Sequence, residues 1–343
     1  MITLFSAPKP FHGHIDLIQR NALASWMALG TEVEVLLLGD EDGMDEAAAG
    51  FGVRHLPDVE RNSAGTPILS SIFGQAEQSG AGSSYCYVNA DILLLPDLLE
   101  AMTDVTKVTD RFLMVGQRWD LDVSQPLRGT AEEVQRQLQT WQGRAQLHRP
   151  AGSDYFVYSG LSFADMPPFA LGRAGWDNWM IYAARAAGVP VIDATKAITV
   201  LHQNHDYGHL PGGEAHYRLP ESDRNVELAG GREMMFTLRD TTWTLADGEL
   251  CPKSWNDPGL RRRLETALYA RMGPGRAART SRLLLHPIET LAYFGGKALS
   301  ALGPAPPVKR DAGAQLTDGA ADESDMAPMV ESGAPNRSKP DEV

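Results

Sequence analysis

Cysteine is nearly missing from this chain. Only Cys86 and Cys251 occur among 343 residues, which excludes a disulfide framework; both stand in apolar surroundings and read as buried, reduced thiols of a cytoplasmic protein. Long hydrophobic runs are lacking too, since no uninterrupted apolar stretch approaches the ~20 residues of a membrane span. The opening Met1-Ile2-Thr3-Leu4-Phe5-Ser6-Ala7-Pro8 has no basic flank and is broken by proline, so it reads as a first strand rather than an export signal. Positive charge is in short supply: 31 Lys and Arg against 44 Asp and Glu leave a net charge of -13. That excludes a general nucleic-acid binder, which needs a basic face. It leaves a nucleotide site open, because carboxylates can hold a cation that in turn meets phosphate. No internal repeat and no heptad run is present.

What is there is an alternation of apolar runs and helical patterns punctuated by Gly, Pro, Asn and Asp, the signature of an α/β domain over residues 1–215. Strands are expected at 2–6, 34–39, 52–56, 85–88, 112–116, 155–158, 190–193 and 199–201. Helices are expected at 16–29, 69–78 and 176–187, the first from apolar positions near a 3.6-residue period at Leu17, Ile18, Ala22, Trp26 and Leu29. Residues 216–257 read as an irregular cap anchored by Trp243 and Trp255. A basic helical extension follows at 258–303, with Arg261, Arg262, Arg263 and Arg271 among its cations. Its positive charge and the apolar run 283–294 suit either peripheral contact with anionic headgroups through 261–302 or packing on the domain. Beyond it, 304–343 is rich in Pro, Ala, Gly and acid, too poor in large apolar groups to offset the entropy of ordering, and is expected to be a disordered acidic tail.

Three stretches carry chemistry. The apolar strand around Tyr85-Cys86-Tyr87-Val88 runs into Asn89-Ala90-Asp91, and acidic groups at the carboxyl end of a central strand sit where open α/β sheets bind ligands. Asp91 is suited to a hard divalent cation, Mn²⁺ or Mg²⁺, and Asn89 to a neutral oxygen or a ribose contact. The strand at 199–201 delivers His202, Asn204, His205 and Asp206 into a loop, where His202 or His205 could complete a metal or diphosphate site. In Gly175-Trp176-Asp177-Asn178-Trp179, Asp177 suits a helix cap or a base for an acceptor hydroxyl, with Trp176 and Trp179 as a sugar-stacking wall. Arg118 beside Asp120 suits a diphosphate or an internal ion pair. Asp154 stands just before the strand at 155–158.

Taken in order, these segments resemble the GT-A nucleotide-diphospho-sugar transferase superfamily, over about residues 1–215. The resemblance implies a Rossmann-type open mixed sheet flanked by helices, with the helical extension and tail appended. It implies a glycosyltransferase that moves a sugar from a nucleotide-sugar to a glycan or small hydroxyl acceptor with divalent metal. By that likeness the metal ligands are Asp91, His202 and His205, and Asp177 is catalytic. Ser6, Ala7, Lys9, Arg20, Asp40, Asn89, Ala90 and Arg118 would bind the donor; Asp154, Trp176, Asn178 and Trp179 would face the acceptor.

The chain departs from the superfamily where its acidic motif usually begins with Asp: position 89 is Asn. One negative charge fewer lowers metal affinity unless His202 or His205 compensates. Two other functions fit the same core: a nucleotidyltransferase, for which the loop after Phe5 lacks the Gly-rich run, and a non-catalytic nucleotide- or glycan-binding protein, for which no base at Asp177 is needed.

Overall fold

The computed structural model describes residues 1–150, 153–205, 219–254 and 259–285, all within one compact unit, Met1–Lys297. The apolar end of the basic segment, the acidic tail, Asp206 and Trp255 lie outside the described residues.

The core is an α/β open mixed sheet. Its strands are β1 (Ile2–Ser6), β2 (Val33–Leu38), β3 (Arg54–Leu56), β4 (Ser84–Val88), β6 (Phe112–Val115), β9 (Tyr155–Ser159), β10 (Val191–Asp193), β12 (Trp243–Ala246) and β13 (Glu249–Pro252). They run in the order β13-β12-β10-β6-β9-β4-β1-β2-β3. β1 pairs in parallel with β2 and β4, β2 with β3, and β10 with β6 and β12. β9 lies antiparallel between β4 and β6, and β13 antiparallel on β12.

The central strands are apolar at nearly every position because both faces are covered. Side chains alternate across a strand, so Ile2 and Leu4, Val35 and Leu37, Cys86 and Val88, and Phe112 and Met114 enter one core. Phe5, Leu36 and Leu38, Tyr87, and Leu113 and Val115 enter the other. The first core is closed by α1 (Gly13–Met27), α2 (Met44–Phe51) and α4 (Asp97–Thr106); α1 buries Ile18, Ala22, Leu23 and Trp26 on its apolar face. The second is closed by α3 (Leu69–Ser79) and α6 (Trp176–Ala186).

A second, four-stranded sheet holds β5 (Ile92–Leu94), β7 (Trp119–Leu121), β8 (Gln146–Leu147) and β11 (Val200–Gln203) in the order β5-β11-β7-β8. α5 (Ala131–Gln142) packs beneath it through Val134, Leu138 and Trp141, beside Leu93, Leu121 and Leu201.

Residues 219–254, where the sequence pattern is irregular, form α7 (Pro220–Leu228), two short 3-10 turns, and the β12–β13 hairpin that extends the large sheet. β12 and β13 are hard to read in sequence because only Trp243, Leu245 and Leu250 of their eight residues face a core. The expectation of two buried thiols is corrected: Cys86 is buried, whereas Cys251 is exposed on the edge strand β13, and both are free. α8 (Leu260–Leu285) begins the basic extension and bends at Gly273. It packs on α6 and on the two 3-10 turns: Tyr269, 2% exposed, enters the second core, and Arg262 pairs with Asp240 of the turn Leu238–Asp240 by two 2.8 Å hydrogen bonds.

Candidate functional site

The strands β1, β2, β4, β6 and β10 point one way, so their carboxyl ends share one edge of the sheet, the position at which such sheets bind ligands. β9 runs the other way and begins at that edge. The register pairs Val88 with Tyr155, which sets Asn89 directly beside Asp154: Asn89 N donates to the Asp154 carbonyl at 2.9 Å, and Asn89 Nδ2 to Asp154 Oδ1 at 2.9 Å. Tyr87 Oη donates to Asn89 Oδ1 at 3.2 Å. Asn89 is thus a bracket between two strands, with its amide oxygen and nitrogen both engaged.

The chain then turns through Ala90 and Asp91 into β5. In the second sheet β5 pairs antiparallel with β11, matching Ile92 to His202, and β7 pairs in parallel, matching Asp120 to His202. These two registers bring together residues far apart in sequence. Gln203, wholly buried, locks the arrangement: its backbone N donates to the Asp91 carbonyl at 3.1 Å, its Nε2 to the Ile18 carbonyl at 2.8 Å, and its Oε1 accepts from Asn21 Nδ2 at 3.1 Å. A buried polar side chain is stable in such a place only because each end is bonded.

Asp91, His202 and His205 each offer one ligand atom, and the three lie within 4.8 Å of one another. Asp91 Oδ2 is 3.0 Å from His205 Nε2 and 4.0 Å from His202 Nε2. Asp91 Oδ1 is buried with no hydrogen-bond partner among the described residues. Burial alone would raise the Asp91 carboxyl, but the His205 hydrogen bond and the charges at His202 and Lys9 hold it well below the usual carboxylate range. Two imidazoles and one carboxylate, one of whose oxygens is buried without a partner among the described residues, fit a divalent ion of the Mn²⁺ kind.

Lys9 borders this cluster on the loop after β1, which Gln19 clamps by accepting from Lys9 N at 2.7 Å and donating to its carbonyl at 2.8 Å. Burial lowers the Lys9 ammonium and the Asp91 charge opposes that shift. Ser6, the last residue of β1, is fully buried with its hydroxyl unpartnered among the described residues, and Ala7 beside it packs on the second core. At the end of β2, Asp40 is ion-paired with Arg61, which also reaches Glu41 at 2.8 Å. Arg20 turns instead to Asp16, at 2.6 Å, and lies over the Phe11 ring.

Arg118 is held between two acids: its Nε donates to Asp120 Oδ1 at 3.0 Å and its Nη1 to Asp154 Oδ2 at 3.0 Å. Of the two readings its sequence allows, the internal ion pair is the one formed. Asp120 also meets His148 Nδ1 at 2.6 Å through Oδ2, and His202 Nδ1 lies 3.4 Å from Oδ1, a contact short of hydrogen-bond alignment. Burial works against ionisation of Asp120, yet His148, His202 and Arg118 together keep its carboxyl well below the ordinary range.

α6 leads into β10, so its N-terminus lies at the same edge. Its first turn begins at Gly175, whose φ of 105° is a conformation that glycine adopts at low cost. Asp177 is half-buried there; burial, aided by the nearby Asp154 charge, raises its carboxyl, while backbone N–H groups of the helix start oppose the shift. The expected stacking wall is largely core. Trp176 is 5% exposed, edge-on to Tyr87 at 5.2 Å and tilted on Phe156 at 5.4 Å. Trp179 is edge-on to Phe169, and Asn178 donates to the Phe236 carbonyl at 2.8 Å.

Sequence reasoning misses His148, Arg61 and the bracing role of Gln203. His148 enters through the pairing of β7 with β8, for which no local signal exists. Gln203 stood within the polar cluster after the strand at 199–201 and carried the usable sign: a polar residue where the strand's alternation points inward.

No protein-family model matches the chain, and no curated protein matches it. Among solved structures it is similar to TarS 1–349 of S. aureus, at 11% identity over 37% of this chain and 38% of that one, TM-score 0.29. It is also similar to the mannosyltransferase PcManGT of Pyrobaculum calidifontis in complex with GDP-Man and Mn²⁺, at 13% identity over 88% and 80%, TM-score 0.39. A third is glucosyl-3-phosphoglycerate synthase of Mycobacterium tuberculosis with Mn²⁺, UDP and glucosyl-3-phosphoglycerate, at 12% identity over 66% and 78%, TM-score 0.40. The chain spans less than half the length of the first of these.

Proposed function

We propose that the protein is a GT-A-type glycosyltransferase that moves a sugar from a nucleotide-sugar to a hydroxyl acceptor. The observation that carries this reading is the Asp91, His202 and His205 cluster, with an Asp91 oxygen unpartnered among the described residues, set at the carboxyl edge of the sheet where such folds bind ligands. A divalent ion held there would neutralise charge on the diphosphate as it leaves. Lys9 stands on the same side as a second positive group for that diphosphate, with Ser6 and Ala7 lining the approach from β1 and Asp40 reaching the base or ribose. Asn89, Arg118 and Asp154 act by holding the site's walls. Asp177 takes the proton of the acceptor hydroxyl: its raised carboxyl is closer in proton affinity to that task than an ordinary surface acid.

The test is a panel of UDP-, GDP-, ADP- and dTDP-sugars incubated with the full chain and Mn²⁺, with nucleoside diphosphate release followed before and after chelation. Release that chelation stops supports the reading. Tight nucleotide binding with no release from any sugar would instead favour a non-catalytic binder.

A further inference from the structure

We propose that Asp120 is a positioning residue for the metal cluster: it fixes His202 in the tautomer that carries its proton on Nδ1 and leaves Nε2 free for an ion. The proposal rests on the reading that Asp91, His202 and His205 hold a divalent ion. Strand register places Asp120 opposite His202. The two ring nitrogens of His202 then face different carboxylates, Nδ1 lying 3.4 Å from Asp120 Oδ1 and Nε2 lying 4.0 Å from Asp91 Oδ2. His202 Nδ1 is buried and has no hydrogen bond among the described residues, so the Asp120 oxygen is the acceptor within its reach. Asp120 is itself braced, by Arg118 Nε at 3.0 Å on the same oxygen and by His148 Nδ1 at 2.6 Å on the other.

The physical reason is general. A neutral imidazole can ligate only through the nitrogen that lacks a proton, and a carboxylate on the opposite nitrogen selects that tautomer and orients the ring. A braced carboxylate does this better than a mobile one, because its own orientation has already been fixed. Arg118 further ties Asp120 to Asp154, at 3.0 Å, and Asp154 lies within electrostatic reach of Asp177.

Two measurements test this on the full chain. The first is the His202 tautomer in the metal-free wild-type protein, read from imidazole ¹⁵N shifts at a pH where the rings are neutral. A proton on Nδ1 is expected, and a proton on Nε2 would overturn the proposal without any variant being made. The second is titration with Mn²⁺ alone, free ion being followed by electron paramagnetic resonance. Asp120→Asn is expected to weaken uptake by about 10- to 100-fold and to shift the His202 nitrogens. Affinity within about twofold of wild type, with the tautomer unchanged, would overturn it. Failure of the underlying metal reading looks different: wild type takes up no Mn²⁺, or Asp91→Asn takes up as much as wild type, while the tautomer still decides the role of Asp120.

Discussion

Asp91 Oδ2 and His205 Nε2 meet at 3.0 Å although 114 positions separate them in the chain. The contact exists because β5 starts where β11 ends, and the Gln203 backbone N closes the seam by donating to the Asp91 carbonyl. Asp91→Asn keeps the shape and removes the cluster's negative charge. Mn²⁺ uptake should fall at least about tenfold, with nucleoside diphosphate release lost in parallel and the unfolding midpoint at neutral pH lowered, because the folded protein favours the ionised carboxyl. Mn²⁺ affinity equal to wild type would remove Asp91 as a ligand.

Asp177→Asn separates chemistry from binding. A base that acts on the acceptor proton is felt in the transition state, so kcat should fall by about 100-fold or more while donor affinity stays within about threefold. Burial raises the Asp177 carboxyl, and the base must be unprotonated to act. The acid limb of the wild-type kcat/KM profile should therefore lie above the ordinary range of aspartate, with activity falling as pH drops through it, and should vanish in the variant's residual rate. Equal losses in donor affinity and kcat would make Asp177 a donor contact or a helix cap.

The strands that set the site's edge were legible because they are buried on both faces and bounded by turn residues: β1 was expected at 2–6 and is Ile2–Ser6. β5 was not separable from β4, since Ile92, Leu93 and Leu94 simply resume the apolar run after Asp91 and no Gly or Pro marks the reversal. β7, Trp119–Leu121, carries polar groups that make sense only beside β11. The same limit applies to the site. Asp91, His202 and His205 stood out as polar groups at strand ends, but the roles of Asn89 and Arg118 depend on Asp154, which arrives with β9. Period told that Trp176 begins a helix and was silent on which face meets Tyr87.

Asp97, at the start of α4, supplies a pH-dependent term in stability. Its Oδ2 accepts from Thr199 N at 2.9 Å, its Oδ1 is buried without a partner among the described residues, and burial pushes its carboxyl up to about 6. Between about pH 4 and that value the folded protein keeps a proton that the unfolded chain gives up, so stability falls as pH rises through this window. Asp97→Asn keeps an acceptor for Thr199 and never ionises. It should be more stable than wild type by about 1–3 kcal/mol at pH 7.5, the advantage shrinking towards pH 4. Urea midpoints of the two proteins across that range check this, and a difference that does not grow with pH would refute it.

The docking of α8 depends on an asymmetric pair. Asp240 is 1% exposed at its side chain, whereas Arg262 is 34% exposed. Asp240 also accepts from Thr237 N at 2.9 Å, and the Arg262 guanidinium lies over the Phe236 ring at 5.6 Å. Arg262→Ala leaves a buried carboxylate without its two charged hydrogen bonds and removes one of the two guanidinium groups over the ring, Arg185 remaining at 5.4 Å. Removing one partner of a fully buried pair costs about 3–5 kcal/mol, and the partial exposure of Arg262 lowers the expected loss to about 2–4 kcal/mol. Asp240→Asn should cost less, because the arginine left behind can be hydrated and the amide oxygen can still accept from Thr237. Urea unfolding of the two variants measures the order directly. A larger loss for Asp240→Asn would mean that the capping of the Thr237 turn, and not the ion pair, holds this end of the chain to the domain.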